Sequence, residues 1–325
     1  MAAGQDLQHW LADSGRQRRT QRAIDAFGHQ WDRGPVQRRF DAAMANLPAK
    51  TAEAASEAAR ALFADDAWVD ALISGLARQL HDDPFFEPPF RTIGSDIHNS
   101  LIVFEGEPMS IAVGVAGVLQ LAAKKTAPRG ATSIGFSGRV SVLKFVKAGD
   151  ALLSFWDAPR ITAGFNRAEA GQCRRTGEQR LADGDILTID GRHQNYVIEH
   201  ARANLLILQA EINLDQAPLS VEYDSASLAY VGCSANGDGA SRIQMIATLL
   251  RKLGCDGAFE AAAPFLDHPD FFVRWHVMRE LLGIDAEAAL PLLERMAAHD
   301  VHPDPRRAAR AVLDRLAASD PRRAA

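Results

Sequence analysis

The chain has 325 residues, 47% of them hydrophobic and 24% charged, with a net charge of −5. That balance excludes global disorder and a fibrous class, and it supplies no general positive field for a nucleic-acid backbone. The length suits two or three units of about 100–150 residues each, and Cys173, Cys233 and Cys255 are too scattered for a disulfide framework or a zinc knuckle.

The opening residues, MAAGQDLQHWLADSG, lack the charged-then-apolar order of a secretory signal. The longest apolar run, 111–123, is interrupted by Gln120 and is too short to cross about 30 Å of hydrocarbon. The expectation is a cytoplasmic protein with reduced thiols and no membrane partner. Residues up to about 85 read as helical, first through the Ala-rich stretch 51–63. Trp68, Leu72, Ile73, Leu76 and Leu80 follow, with the three- and four-residue spacing of one apolar helix face. Arg16, Arg18, Arg19 and Arg22 are diluted by Asp13, Asp25 and Asp32, which reads as a solvated helix face and gives no reason to expect nucleic acid. Prolines 84, 88 and 89 then end the helical region.

From about 92 to 214 the apolar period becomes that of strands. LIVFE, the turn Gly106-Glu107-Pro108 and MSIAVGV read as a hairpin, and 139–146 alternates like a half-buried strand. Two Gly-Asp corners, at 148–150 and 183–185, each feed an apolar strand. Residues 205–208 carry no polar break, as in a strand covered on both faces. Many short strands with regular turns favour a sandwich or barrel.

The small-residue stretch 232–240 reads as a linker, with Ser241 placed to cap the next helix and Gly254 to end it. Beyond it, His268-Pro269-Asp270 recurs as His302-Pro303-Asp304, 34 residues later, each time leading into an Arg-containing amphipathic helix. This echo resembles HEAT repeats over roughly the last 55–60 residues. Since about three repeats make a free-standing solenoid, the segment is expected to dock on the β-domain or on a partner. His276 and Glu280 lie one helical turn apart.

The stretch 180–212, RLADGDILTIDGRHQNYVIEHARANLLILQAEI, resembles the closing strands of a cupin double-stranded β-helix. Gly184 is followed by DILTI as in the second cupin motif, but Asp190, Arg192 and Asn195 occupy its proline, glycine and histidine positions, and His193 lies two residues early. The first motif falls within 100–159, which contains no histidine. The resemblance implies a cupin-like fold and assures no cofactor. Iron or another divalent metal would need two histidines and a carboxylate on one face. The trio on offer is Asp96 and His98, two positions apart on one strand face, with His193 from the closing strand. Arg202 would then pair with a keto-acid carboxylate. Independently, Arg174, Arg175 and Arg180, with Tyr196 and Arg202, are the candidates for a ligand site at the barrel mouth, suited to a small anion.

The expected class is α+β: a cupin-like β-barrel or sandwich (91–231) between N-terminal helices (1–90) and, past the linker (232–240), a HEAT-like helical segment (241–325). The expected function is a non-catalytic small-molecule sensor or partner-binding accessory module, for which a homo-oligomer is compatible. The alternatives are a metal-dependent cupin-type oxygenase or isomerase, and a HEAT-like adaptor anchored by Phe271, Phe272 and Trp275.

Overall fold

A computed structural model describes residues 2–94, 98–125 and 133–319. The N-terminal region forms five helices: α1 (Ala2–Ala12), α2 (Ser14–Asp32), α3 (Pro35–Ala45), α4 (Ala52–Phe63) and α5 (Ala67–Asp82). Their starts are encoded locally. Asp13 accepts from the Arg16 N–H at 2.9 Å to cap α2, Thr51 accepts from the Ala54 N–H at 3.2 Å to cap α4, and Pro35 opens α3 where its missing N–H costs nothing. On α5, Trp68, Leu72 and Leu76 are buried as expected. Ile73 and Leu80 are exposed, because the face that meets the core runs through Trp68, Val69, Leu72 and Leu76.

The strands are β1 (Arg91–Gly94), β2 (His98–Glu105), β3 (Met109–Ala116), β4 (Ser133–Phe136), β5 (Val140–Lys147), β6 (Leu152–Asp157), β7 (Arg174–Arg180), β8 (Ile186–Asp190), β9 (Gln194–His200), β10 (Leu205–Ile212), β11 (Leu219–Asp224) and β12 (Tyr230–Ala235), with helix α6 (Val118–Lys125) after β3. All named pairings are antiparallel. One sheet has the order β1-β2-β3-β10-β5-β8, a second β7-β6-β9, and a third β12-β11-β4. Strand β4 also packs beside β9. From β3 to β10 the chain therefore passes back and forth between a β3-β10-β5-β8 face and a β4-β9-β6-β7 face. That is the double Greek key of an eight-stranded jelly roll, so the central domain is cupin-like. The β2–β3 hairpin is closed by the Gly106 N–H donating to Met109 O at 3.0 Å. Gly149, at φ +58°, allows a close approach, since a Cβ there would lie 2.3 Å from Ala203 O.

The large sheet is covered on both sides. Met109, Ile111, Val113, Val140, Val142, Leu208, Ala210 and Ile212 pack against α3–α5. The alternate residues, Leu143, Phe145, Leu205 and Ile207, face the second sheet and meet Leu153, Phe155, Tyr196 and Ile198. The apolar run 205–208 is thus a strand buried on both faces. Lys144 points into the helical layer. Its Nζ donates to Phe63 O at 2.7 Å and pairs with Asp66 at 2.9 Å, fastening the end of α4 to β5.

The C-terminal helices are α7 (Asp238–Leu253), α8 (Ala258–Ala262), a 3₁₀ turn at Ala263–Asp267, α9 (Phe271–Ile284), α10 (Ala286–His299) and α11 (Pro303–Ser319). The stretch 232–240, expected as a linker, is ordered as the end of a strand and the start of a helix. Residues 232–235 belong to β12, where small side chains fit beside β11 and the Ser220 and Ser234 hydroxyls meet at 2.8 Å. Helix α7 is capped at Gly237, so Ser241 lies inside its first turn. Gly254 does end α7 in the left-handed region, at φ +62°. The two His-Pro-Asp turns use one device: His268 Nδ1 accepts from the Asp270 N–H at 3.0 Å, and His302 Nδ1 from the Asp304 N–H at 3.2 Å.

Candidate functional site inside the barrel

Polar side chains enter the space between the two barrel sheets at one level of the large sheet. In β10 the register pairs Glu211 with Ser110 on one side and Ser141 on the other. All three lie on the face opposite the residues that contact the helices. Ser141 Oγ donates to Glu211 Oε1 at 2.8 Å, and Gln209 Nε2, next along the same strand face, donates to the same oxygen. Tyr196 projects from β9 into this space. Among the described residues nothing donates to Glu211 Oε2, and the Tyr196 and Ser110 hydroxyls have no hydrogen-bond partner; none of these atoms is sealed from solvent. Three oxygens therefore open onto an interior that Leu143, Phe155, Leu187 and Ile198 also line.

The electrostatics follow from this enclosure. Burial raises the Glu211 carboxyl above its ordinary range, against the opposing effect of its hydrogen bonds from Ser141 and Gln209 and the more distant Arg139. Burial, with a smaller contribution from Glu211, pushes the Tyr196 phenol up to about 12. Arg139 is itself committed, donating to Gln216 Oε1 at 2.9 Å and Asn236 O at 2.8 Å.

The structure separates the five mouth candidates. Tyr196 lies inside. Arg180 and Arg202 both pair with Asp150, the latter at 3.0 Å, at the corner preceding β6. Arg174 pairs with Asp157 at 3.4 Å, while Arg175 binds Glu178 and lies 3.9 Å from Glu199. Each arginine already has a carboxylate, and they do not converge on one ligand position.

Of the metal trio, Asp96 lies outside the described residues. His98 has its ring nitrogens 3.0 and 3.3 Å from Ser100 Oγ, and burial lowers its pKa. His193 Nδ1 is 3.4 Å from Asp190 but also 3.3 Å from the Arg160 guanidinium, and Asp190 is held bidentately by Arg192 at 2.7 and 2.9 Å. Two guanidiniums around this carboxylate oppose a metal cation, so His193 and its neighbours fit one poorly. Among the described residues no group of three or more His, Cys, Asp or Glu is placed to hold an ion. His276 and Glu280 do share a face, at 3.5 Å, but Glu280 is taken by Arg251 and Thr248.

The sequence reading missed Ser110, Ser141, Gln209 and Glu211. The available signal was in β10, where Gln209 and Glu211 put polar groups on one face of a strand whose other face stays apolar.

The helical end is seated on the β-domain. His302 Nε2 is 3.2 Å from Phe165 O, the Arg167 N–H donates to Asp304 Oδ2 at 3.0 Å, and Phe271 and Phe272 pack with Ile161, Phe165 and Tyr223. The aromatics expected as adaptor anchors are therefore occupied: Phe271 and Phe272 in this junction, and Trp275 in the helical core.

Comparison with known proteins matches the family model for HEAT repeats over residues 234–314, beginning earlier than the echo of the His-Pro-Asp turns. Similar solved structures include a cupin domain from Bordetella pertussis (12% identity, 37% of this chain and 97% of that chain, TM-score 0.23). An ectoine synthase from P. lautus is similar at 12% identity, over 38% of this chain and 69% of that one, with a TM-score of 0.22. A sugar phosphate isomerase from a cupin superfamily, from Silicibacter pomeroyi, is similar at 11% identity, over 43% and 78%, with a TM-score of 0.24. No curated protein matches the chain. The chain thus combines a cupin-like domain, assigned by its strand order, with a HEAT-like helical region. Among the described residues no helix is long and apolar enough to cross a membrane.

Proposed function

We propose that this protein is a cupin-like binding module that holds a small molecule between its barrel sheets as a sensor or accessory factor, without turning it over. The observation that supports the reading is the set of open oxygens, Glu211 Oε2, Tyr196 Oη and Ser110 Oγ, in an interior that Leu143, Phe155, Leu187 and Ile198 also line. A concave apolar space with a few convergent polar groups is the usual form of a ligand site. A binding role is favoured because the lining holds and orients, while the arginines that could draw in or polarise an anion are each paired with a carboxylate. Domain units at 1–90, 91–231 and 241–325 fit this role, with β12 carrying the β-domain on to Ala235 and the helical end as the element through which occupancy would reach a partner. The free thiols of Cys173, Cys233 and Cys255 suit a reducing, cytoplasmic setting.

The test is a thermal-shift screen of a chemically diverse metabolite library against the full chain and an Ala112→Leu variant. Ala112 lies on the same strand face as Ser110, beside Gln209, so the larger side chain would fill the interior. The reading expects a compound that raises the melting temperature of the wild type by a few degrees, about what ligand at 100 times its Kd supplies, and leaves the folded variant unchanged. Equal shifts in both proteins, or none across the library, would overturn it.

A further inference from the structure

Resting on that reading, we infer that the barrel's ligand is a small organic cation whose charged end meets Glu211 Oε2. Of the three groups only the carboxyl has an ordinary pKa that favours ionisation at neutral pH, and its ionised form can only accept hydrogen bonds. Its Oε1 is already served by Ser141 and Gln209, which fixes the carboxyl plane and leaves Oε2 pointing at an unmet need for a donor. Among the described residues no cation lies within ion-pair distance of Glu211, and Arg139 is tied to Gln216 and Asn236. A carboxylate held in an apolar interior without a counter-ion costs stability. Such groups persist where function needs them. A ligand ammonium or guanidinium would complete the ion pair, with the Tyr196 and Ser110 hydroxyls as further acceptors, and its apolar body would face Leu143, Phe155, Leu187 and Ile198. An anion, which the arginines of the sequence suggested, would instead meet Glu211 as a like charge.

The experiment is ligand-observed NMR titration of the full-length protein with n-butylammonium and n-butylguanidinium, set against 1-butanol and butyrate as neutral and anionic isosteres. The expected result is that the cations bind roughly ten-fold or more tightly than 1-butanol, as for a hydrogen bond to a charged group. Glu211→Gln should bring them down to the alcohol's affinity. The comparison of isosteres on the wild type stands even if that variant folds poorly. Binding of the alcohol or butyrate as tight as that of the cations, or cation binding indifferent to Glu211→Gln, would overturn the inference while leaving small-molecule binding intact. No binding by any of the four would overturn it as well, and the library screen with Ala112→Leu would then decide the broader reading on its own.

Discussion

A carboxyl buried without a counter-ion titrates in the opposite sense from most acids of a folded protein. Because enclosure raises the Glu211 pKa above its unfolded value, protonated Glu211 favours the fold at low pH, and that contribution is lost as pH rises through the folded value. Glu211→Gln keeps an acceptor oxygen for Ser141 and Gln209 while removing the charge. The urea midpoint of the variant should therefore rise relative to that of the wild type as pH is raised from about 4 to about 8; a wild type that gains on the variant with rising pH would contradict this account. The residue scale was the least legible in the sequence. Charge and motif position drew attention to Arg174, Arg175, Arg180 and Arg202, yet a surface arginine says nothing about the carboxylate that answers it. Glu211 carries no motif, and its meaning depends on register with Ser110 and Ser141.

At the scale of elements, two buried charges that look alike should behave differently. Arg274 on α9 and Asp300 before α11 form a bidentate pair at 2.9 and 2.6 Å, with side chains only 6% and 4% exposed. Arg274 also donates to His268 O and Pro269 O, and Asp300 accepts from the His302 N–H, so the pair joins the two His-Pro-Asp turns. Asp300→Ala leaves a largely buried guanidinium without its counter-ion and should cost about 3–5 kcal/mol in chemical unfolding. Lys144 is also buried, but its partner Asp66 is 31% exposed and can rehydrate. Lys144→Met should accordingly stay within about 1 kcal/mol of the wild type. A large loss there and a small one at Asp300 would reverse the assignment. Elements were where the sequence spoke most clearly. The β2–β3 hairpin, β5, the doubly covered β10 and the glycine end of α7 follow from apolar period and turn chemistry. The linker expectation failed because Gly232, Cys233, Ser234 and Ala235 have a composition that serves an edge strand as well as a loop.

For the whole molecule, the question is how firmly the HEAT-like end is held to the barrel. Too few repeats to stand alone implied docking, but the sequence could not place the junction, because its residues come from segments more than 130 positions apart. At its centre the His302 ring lies flat on Phe271, with centroids 3.7 Å apart, and is 7% exposed. Its Nδ1 accepts from the Asp304 N–H and its Nε2–H donates to Phe165 O, so the neutral tautomer satisfies both bonds and a proton on Nδ1 would break the first. Burial lowers the His302 pKa; the carboxylates of Asp304 and Asp300 oppose that shift, whereas Arg274 reinforces it. A folded-state value below the ordinary 6.5 means that this contribution is complete above that pH and is lost as pH falls through the lowered value. Hydrogen exchange between pH 7 and pH 5, corrected for intrinsic rates, should then show protection falling at the start of α11 and around Phe165 before it falls in β5 and β10. His302→Asn, which retains a side-chain acceptor without the titration, should flatten that dependence. If all of these regions lose protection together, or the variant follows the wild type, His302 does not set the strength of the junction, and the burial of Phe271 and Phe272 against the β-domain holds it alone.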